Sequence, residues 1–166
     1  MNGSAAVADP RQISGKFLTF FLAEEEYGVE ILKVSEIIGL MPITRIPNAP
    51  AAARGVVNLR GKVIPIMDLR LKFGMEAVEA TDETCIVVVQ LDGVKIGLVV
   101  DRVSEVMDIR GEEVDPAPSF GGAATEHLLG IAKSEDGVKL LLDIERVLAE
   151  AEVAGLGRML DEEAAE

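Results

Sequence analysis

The chain contains the same supersecondary pattern twice, and this internal repeat limits the folds that it can adopt. A shift of 69 positions aligns four identical pairs without a gap: Gly28 with Gly97, Val34 with Val103, Ser35 with Ser104 and Glu36 with Glu105. A shift of 75 positions then aligns two further pairs, Gly55 with Gly130 and Asp68 with Asp143. Offsets that drift in this way are produced by small loop insertions in a duplicated unit. The repeat predicts two copies of one small domain with a pseudo-symmetric groove between them.

Each copy reads as two β-hairpins separated by a proline-bearing connection. The first hairpins are predicted at 17–22 with a turn at 23–26 and a return strand over 27–40, and at 85–91 with a turn at Asp92-Gly93. The second hairpins have predicted turns at Arg60-Gly61 and Asp136-Gly137. Glycines near the start of each return strand, Gly28 and Gly97, predict a bulge or bend that helps a sheet to curl.

Helical sequence is short. Asn48 and Pro50 predict a small helix capped at its start, and Asp68 and Asp143 each precede a helical segment. A helical turn is also expected at 125–129, and the segment that starts at Asp143 is expected to continue to about Val153. About four to five strands per copy with few helices predict an all-β fold of two small, closed or nearly closed barrels.

The predicted organisation has five parts. They are a disordered tail at 1–14, a first barrel repeat at about 16–74, an exposed linker at about 75–84, a second barrel repeat at about 85–148, and a helix end with an acidic tail at 151–166. The main domain is accordingly expected over 15–150.

Composition excludes several classes of protein. The formal net charge of −13 argues against nucleic acid, because phosphate binding depends on a basic surface. No apolar stretch is long enough to cross a bilayer, and the first 16 residues lack the layout of a signal peptide, so a cytoplasmic location is predicted. The single cysteine, Cys85, begins an apolar run and is expected to be a buried thiol.

The search for catalytic chemistry is negative. Asp68 and Asp143 occupy equivalent positions and invite comparison with a two-lobed acid protease, but each ends an apolar strand and starts helical sequence, which favours a helix-capping role. The single histidine, His127, has no cysteine at metal-ligand spacing, and Glu24, Glu25 and Glu26 are three neighbours rather than staggered cation ligands. We therefore predict no catalytic residues, no metal site and no cofactor.

Two features allow a binding role. Arg60 stands at a hairpin tip between Asn58 and Gly61, where it is either a solvated turn residue or a rigid interface anchor. Val34 and Glu36 belong to a Val-Ser-Glu sequence that occurs in both copies, which is compatible with solvent-facing salt pairs or with a partner-binding edge.

Three segments resemble the CheW family of bacterial chemotaxis coupling proteins. They are EEYGVEILKVSEI, TRIPNAPAAARGVVNLRGKVIPIMDLRLKF and IGLVVDRVSEVMDI, and the resemblance runs from about Lys16 to Glu150. It implies two pseudo-repeated SH3-like five-stranded β-barrels packed together with short helices. It also implies a non-enzymatic scaffold that joins the cytoplasmic tips of chemoreceptors to the regulatory domain of the histidine kinase CheA, in arrays at the membrane but without membrane insertion.

The resemblance further implies a set of receptor and kinase contacts. Carried over position by position, they fall on Val34, Glu36, Asn58, Arg60, Gly61, Gly97 and Val106. Two alternatives stay open at this point. One is a coupling protein whose output is not flagellar, such as surface motility, and the other is an unrelated enzyme that uses Asp68 and Asp143.

Overall fold

The computed structural model describes residues 13–49, 52–118, 127–135 and 137–148. Its strands are β1 (Gly15–Leu22), β2 (Glu25–Glu30), β3 (Val34–Gly39), β4 (Ala53–Leu59), β5 (Lys62–Asp68), β6 (Cys85–Leu91), β7 (Val94–Val100), β8 (Arg102–Ile109), β9 (Val114–Asp115), β10 (Leu128–Ser134) and β11 (Gly137–Leu142). The helices α1 (Leu69–Lys72) and α2 (Ile144–Val147) are one turn long, and 3₁₀ turns form at Ile31–Lys33 and Gly111–Glu113.

The strands form two sheets, and each sheet takes strands from both repeats. The six-stranded sheet has the order β8-β1-β2-β11-β10-β9, and the five-stranded sheet has the order β3-β6-β7-β5-β4. Strands β1 and β2 of the first repeat thus join the second repeat, and β6 and β7 of the second repeat join the first. The predicted barrel boundaries at 16–74 and 85–148 therefore do not separate the two sheets.

This exchange corrects the predicted first hairpin. The return segment 27–40 is not one strand, because β2 ends at Glu30 and the 3₁₀ turn Ile31–Lys33 carries the chain into β3 of the other sheet. The turn before it is also tighter than predicted, since Leu22 pairs directly with Glu25. The alternating apolar residues continue through the break, so their period does not reveal where one sheet ends and the next begins.

Three apolar clusters account for the packing. The largest takes residues from both sheets, among them Phe20, Val29, Val87 and Leu98. Two smaller clusters each lie within one sheet: Phe17, Ile109 and Leu141 in the six-stranded sheet, and Val57, Ile66 and Ile86 in the five-stranded sheet. Each sheet therefore has one apolar cluster that is enclosed by its own strands, and the two sheets pack against each other through the largest cluster. The predicted fold class of two packed β-barrels with short helices is confirmed, with the two-residue β9 as a sixth strand on one side.

The repeated Val-Ser-Glu sequence marks a duplicated β-bulge. On β3, Val34 pairs with Val89 and Glu36 with the adjacent Val88, so Ser35 is the extra residue. On β8 the register shifts at the corresponding place, between the partners of Leu18 and Phe20. There the hydroxyl of Thr19 donates to the carbonyl of Glu105 at 3.1 Å and accepts from its N–H at 3.2 Å. The repetition thus has a structural cause, because an extra residue bends the strand in both sheets.

Gly28 and Gly97 occupy equivalent places where a parallel strand crosses. Gly28 pairs with Leu141 and Gly97 with Ile66, and neither glycine lies at a register shift. A Cβ on Gly97 would lie 2.6 Å from Cδ1 of Ile66 and 2.7 Å from Cγ2 of Ile86. Neither glycine is therefore a bulge; Gly97 is needed for the close approach of Ile66 and Ile86, whereas a Cβ on Gly28 would lie 3.1 Å from Cδ2 of Leu141, a milder contact.

Several local predictions have mixed outcomes. The hairpin turns at Arg60-Gly61 and Asp92-Gly93 are confirmed, whereas Gly137 pairs with Ser134 and so belongs to β11 rather than to the turn. The small helix predicted to begin at Asn48 falls partly on residues 50 and 51, which lie outside the described residues. Ala49 and Ala52 on either side are not helical, and Asn48 has a positive φ of 61° in a turn. The predicted tail at 1–14 lies outside the described residues except for its last two, of which Ile13 is buried.

Predictions near the end of the chain are tested only in part. The predicted turn at 125–129 overlaps the described residues at 127–129, where β10 already begins at Leu128. The predicted helix after Asp143 is described only to 148, and the acidic tail at 151–166 lies outside the described residues. The linker at 75–84 has no regular structure and is largely exposed.

Candidate functional site

The β4–β5 turn holds Arg60 on a defined backbone. Arg60 and Gly61 have φ values of 51° and 88°, the left-handed pair that a two-residue hairpin turn requires. The side-chain oxygen of Asn58 accepts a 2.8 Å hydrogen bond from the N–H of Gly61. Asn58 and Gly61 therefore fix the turn, and the exposed Arg60 side chain projects from it.

Arg60 forms an ion pair with Glu36. Neither interpretation of Arg60 from the sequence, as a solvated turn residue or as an interface anchor, included this contact. One guanidinium nitrogen donates to Oε2 of Glu36, so the turn is tied to the edge strand β3. The Glu36 side chain is 26% exposed, whereas that of Arg60 is 68% exposed. Glu36 thus acts as the support and Arg60 as the exposed member of the pair. Sequence reasoning missed the contact because 24 residues separate the partners.

The approach to β3 carries an exposed apolar side chain that the sequence analysis did not single out. Leu32, in the 3₁₀ turn between the two sheets, is 97% exposed. Val34 is partly buried and packs against the largest cluster, so it contributes to the core as well as to the edge. The sequence signal for an exposed side chain here was the adjacent apolar pair Ile31-Leu32. Successive side chains of a strand point to opposite faces, so a strand with one buried face cannot bury both.

The Leu32 to Glu36 segment and the Asn58 to Gly61 turn together form what we call the β3–turn surface. Val34, Glu36, Asn58, Arg60 and Gly61, five of the seven carried-over residues, belong to it. The other two lie elsewhere. Gly97 is buried on β7 and has no side chain to offer a partner, and Val106 is 49% exposed on β8 of the other sheet. Since β8 is the repeat equivalent of β3, Val106 occupies the corresponding edge.

Both candidate acid residues are helix caps, as predicted. The Asp68 carboxylate accepts from the N–H groups of Arg70 at 2.9 Å and Leu71 at 3.4 Å, and also from Arg54 at 2.8 Å. Asp143 accepts from the N–H of Arg146 at 3.4 Å. Asp68 is thus a buried cap that is additionally paired with an arginine.

A second ion pair joins the two sheets. Arg70 of α1 donates to both carboxylate oxygens of Asp101, at 2.8 and 2.5 Å, and Asp101 also accepts from the N–H of Ala23 at 2.7 Å. The hydrogen bond from Arg70 is the main cause that lowers the pKa of Asp101 below its usual value, and the Ala23 N–H adds to it. Asp101 therefore links α1 to the β1–β2 turn of the other sheet.

The remaining polar candidates have structural surroundings. Burial raises the pKa of the Cys85 thiol, which is partly buried at the start of β6. His127 stacks on Phe73 with ring centroids 6.2 Å apart. Within the described ranges, no group of three or more His, Cys, Asp or Glu residues could hold a metal ion.

The comparisons with known proteins agree with this architecture. The family model for the CheW-like domain matches residues 16–152. This chain belongs to the CheW family. The matched range includes strands of both sheets.

Relatives and a solved structure match over most of their length. The chain is 42% identical over 143 residues to the chemotaxis protein CheW of Klebsiella aerogenes, covering 86% of each chain, and 35% identical over 133 residues to that of Helicobacter pylori, covering 80% of this chain and 81% of the relative. It is 28% identical over 156 residues to Protein FrzA of Myxococcus xanthus, covering 93% and 96%. The crystal structure of the scaffolding protein TtCheW from Thermoanaerobacter tengcongensis matches with a TM-score of 0.76 at 34% identity, covering 84% of this chain and 96% of that one.

The described part of the chain contains no helix with the length and apolar character needed to span a bilayer.

Proposed function

We propose that this chain is a non-enzymatic scaffold that joins the cytoplasmic tips of chemoreceptors to the regulatory domain of the histidine kinase CheA. The observation that carries the proposal is the ion pair that holds Arg60 of the turn against Glu36 of the edge strand β3, because the family resemblance assigns both residues to partner contacts. Membership of the CheW family and the likeness to a solved scaffolding protein support the same role.

The chemistry of the surface suits protein recognition. Arginine has five N–H donors, and the bond to Glu36 uses one of them, so donors are left for a carboxylate or carbonyl of a partner. Because Glu36 and the turn already hold the side chain, little further ordering is required on binding. The exposed Leu32 adds apolar area beside this polar group, a combination typical of interface anchors.

The proposed mechanism uses binding and no covalent step. Contacts that differ between receptor states shift the kinase equilibrium by a coupling free energy of typically about 1–3 kcal/mol. The work of the scaffold is then to hold both partners at membrane-bound receptor arrays from the cytoplasmic side. Neither a cofactor nor a metal has a place in this mechanism.

Titration calorimetry tests the proposal with two partners, a CheA regulatory domain and a soluble receptor signalling fragment. We expect the wild-type chain to bind both, and Arg60→Ala to lose about 1–3 kcal/mol of association free energy with at least one. Arg60→Lys is expected to recover only part of the loss, because an ammonium cannot form two parallel hydrogen bonds. Lys62→Ala, an exposed cation two residues away, is the matched control and should bind as wild type. Wild-type affinity of Arg60→Ala for both partners would remove Arg60 from the site.

A second candidate function differs only in output. The match to Protein FrzA shows that not every relative carries the name of a chemotaxis protein. A coupling role in a system with a non-flagellar output, such as surface motility, is therefore the alternative. The higher identity to a chemotaxis protein favours the first candidate, and deletion of the gene followed by separate swimming and surface-spreading assays distinguishes the two.

A further inference from the structure

The 3₁₀ turn Ile31–Lys33 is the place where the chain passes from the six-stranded sheet to the five-stranded sheet. None of its three residues is buried, and Glu30 at its start makes no side-chain cap hydrogen bond. The N–H of Val34 closes the turn by donating to the carbonyl of Ile31, which packs against the largest apolar cluster. Because 3₁₀ turns have poorer hydrogen-bond geometry than α-helices, this turn depends on tertiary contacts to keep Leu32 in place on the β3–turn surface.

One such contact comes from a residue near the end of the described chain. Nζ of Lys33 donates to Oε2 of Glu145 at 2.8 Å, although 112 positions of sequence separate the two residues. The Lys33 side chain is 26% exposed and that of Glu145 is 69% exposed. Their hydrogen bond is the main cause that raises the pKa of Lys33 above its usual value and lowers the pKa of Glu145 below its own. Each partner thus favours the charged form of the other.

Glu145 stands on a firmly held helix. It is the second residue of α2, in which Ile144 and Val147 are buried in the largest cluster. The carboxylate of Asp143 accepts from the N–H of Arg146 at 3.4 Å, and the carbonyl of Asp143 accepts from the N–H of Val147 at 2.9 Å. Because the helix is capped and packed, its second residue is a fixed point to which an exposed turn can be tied.

The same tie occurs at the equivalent place of the other repeat. A shift of 75 positions places Glu145 on Arg70, the second residue of α1. Arg70 donates to both carboxylate oxygens of Asp101, which lies between β7 of the five-stranded sheet and β8 of the six-stranded sheet. In both repeats, the second helical residue therefore contacts the passage by which the chain leaves the sheet that precedes the helix. The charges of the two pairs are reversed, so the contact is repeated although its residues are not.

We propose that Glu145 is a positioning residue of the β3–turn surface, which acts through Lys33 to keep the 3₁₀ turn closed and Leu32 in the place where a partner meets it. The part of this inference that concerns partner binding rests on the proposed function. Glu145 acts without touching the partner, because a surface that is ordered before binding loses less freedom on association. A residue of the second repeat thereby supports a surface of the first.

The first test measures hydrogen exchange at the Val34 amide by NMR, in the full-length chain without a partner. This amide closes the turn, so its exchange rate reports how often the turn opens. Charge reversal is the suitable perturbation, because the charges of Glu30 and Asp143 also act on Lys33 and would mask the loss of one carboxylate. An exposed ion pair supplies a factor of up to about five, and reversal adds repulsion to the loss. We therefore expect Glu145→Lys to raise the Val34 exchange rate at least about threefold.

Two controls separate this effect from a general loss of stability. The amide of Val114 closes the other 3₁₀ turn by donating to the carbonyl of Gly111, and its exchange rate in Glu145→Lys should stay within about twofold of wild type. The double variant Lys33→Glu/Glu145→Lys re-forms the pair with reversed charges, so its Val34 rate should return to within about twofold of wild type. A Val34 rate that Glu145→Lys leaves unchanged, or that the double variant does not restore, would overturn the proposal.

The second test measures binding of the CheA regulatory domain and of the receptor signalling fragment by titration calorimetry. Glu145→Lys should weaken binding of at least one partner about threefold or more. Glu112→Lys is the matched control and should bind as wild type, because Glu112 is also ion-paired, 72% exposed and part of a 3₁₀ turn.

The two readouts together distinguish positioning from direct contact. Weaker binding with an unchanged Val34 rate would make Glu145 a contact residue, and unchanged binding with a raised Val34 rate would separate the turn from the partner surface. Either result would overturn the proposal. If the wild-type chain binds neither partner, the proposed function is wrong, while the exchange rates still decide whether Glu145 holds the turn.

Discussion

The equivalent glycines Gly97 and Gly28 offer a matched pair of substitutions. A Cβ at Gly97 meets Cδ1 of Ile66 at 2.6 Å and Cγ2 of Ile86 at 2.7 Å, and the second atom belongs to a β-branched side chain with little freedom to move. A Cβ at Gly28 meets Cδ2 of Leu141 at 3.1 Å, the far end of a flexible side chain. Gly97→Ala therefore requires buried side chains of the five-stranded sheet to move, whereas Gly28→Ala requires only a small movement of the Leu141 side chain.

The expected difference follows from these distances. Overpacking of a core costs typically about 1–3 kcal/mol, whereas replacing glycine by alanine restricts the unfolded chain and returns about 0.4–1 kcal/mol. We expect Gly97→Ala to lower the free energy of unfolding by about 1–2 kcal/mol and Gly28→Ala to change it by less than about 0.5 kcal/mol. On a chain of this size, the first change lowers Tm by roughly 2–8 °C.

Urea unfolding followed by circular dichroism measures both values, with the slope m checked for constancy. Calorimetric titration of the folded Gly97→Ala protein against the same partners gives a second result. Because Gly97 is buried, we expect its affinity to stay within about twofold of wild type, well below the effect of losing an interface anchor. Equal stability losses at the two glycines would refute the packing argument. A stable Gly97→Ala protein that fails to bind would place Gly97 in the interface instead.

Three further predictions concern the ion pairs, the caps and the exposed leucine. Asp101→Asn should lower stability by about 1.5–3 kcal/mol at pH 7, because the paired charge of Arg70 loses its partner. The pKa of Asp101 is lowered in the folded state, so its contribution to stability is present above the unfolded pKa of about 3.9 and is lost as pH falls through the folded pKa. Urea unfolding at pH 7 and pH 3 should therefore show a smaller difference in unfolding free energy between wild type and Asp101→Asn at the lower pH. A difference that grows in acid would contradict the ion-pair assignment. Asp68→Asn should cost about 1–3 kcal/mol and Asp143→Asn less than about 1 kcal/mol, since the buried Asp68 has an arginine partner as well as its cap bonds, and equal costs by urea unfolding would count against this difference. Leu32→Asp should leave the unfolding curve within about 0.5 kcal/mol of wild type while weakening partner binding in calorimetry; an unaltered affinity would exclude Leu32 from the interface.

Local signals predicted the parts of the fold that are set by neighbouring residues. The turns at Arg60-Gly61 and Asp92-Gly93 follow from residues that accept a positive φ, and the caps at Asp68 and Asp143 follow from the helical sequence after them. The exchange of strands was not predicted, because it depends on the parallel pairs β5–β7 and β2–β11. These pairs join segments that are distant in sequence and have no turn to mark their register.

The candidate site was predicted to a similar extent. Family resemblance supplied Arg60 and Glu36 as separate contacts, but only the fold brings the two side chains together. The exposure of Leu32 depends on the passage of the chain from one sheet to the other, which the apolar pattern does not encode.

We propose that this chain couples receptor to kinase through the β3–turn surface. The most direct measurement is the phosphorylation rate of purified CheA in the presence of receptor-containing membranes, with no added scaffold, with the wild-type chain, and with Arg60→Ala at the same concentration. We expect the wild-type chain to raise the kinase rate and Arg60→Ala, although folded, to raise it much less. With CheA and receptors from the organism that encodes this chain, an equal rate with and without the wild-type chain would contradict the coupling role, and an equal rate with the wild-type chain and with Arg60→Ala would contradict the role of the β3–turn surface.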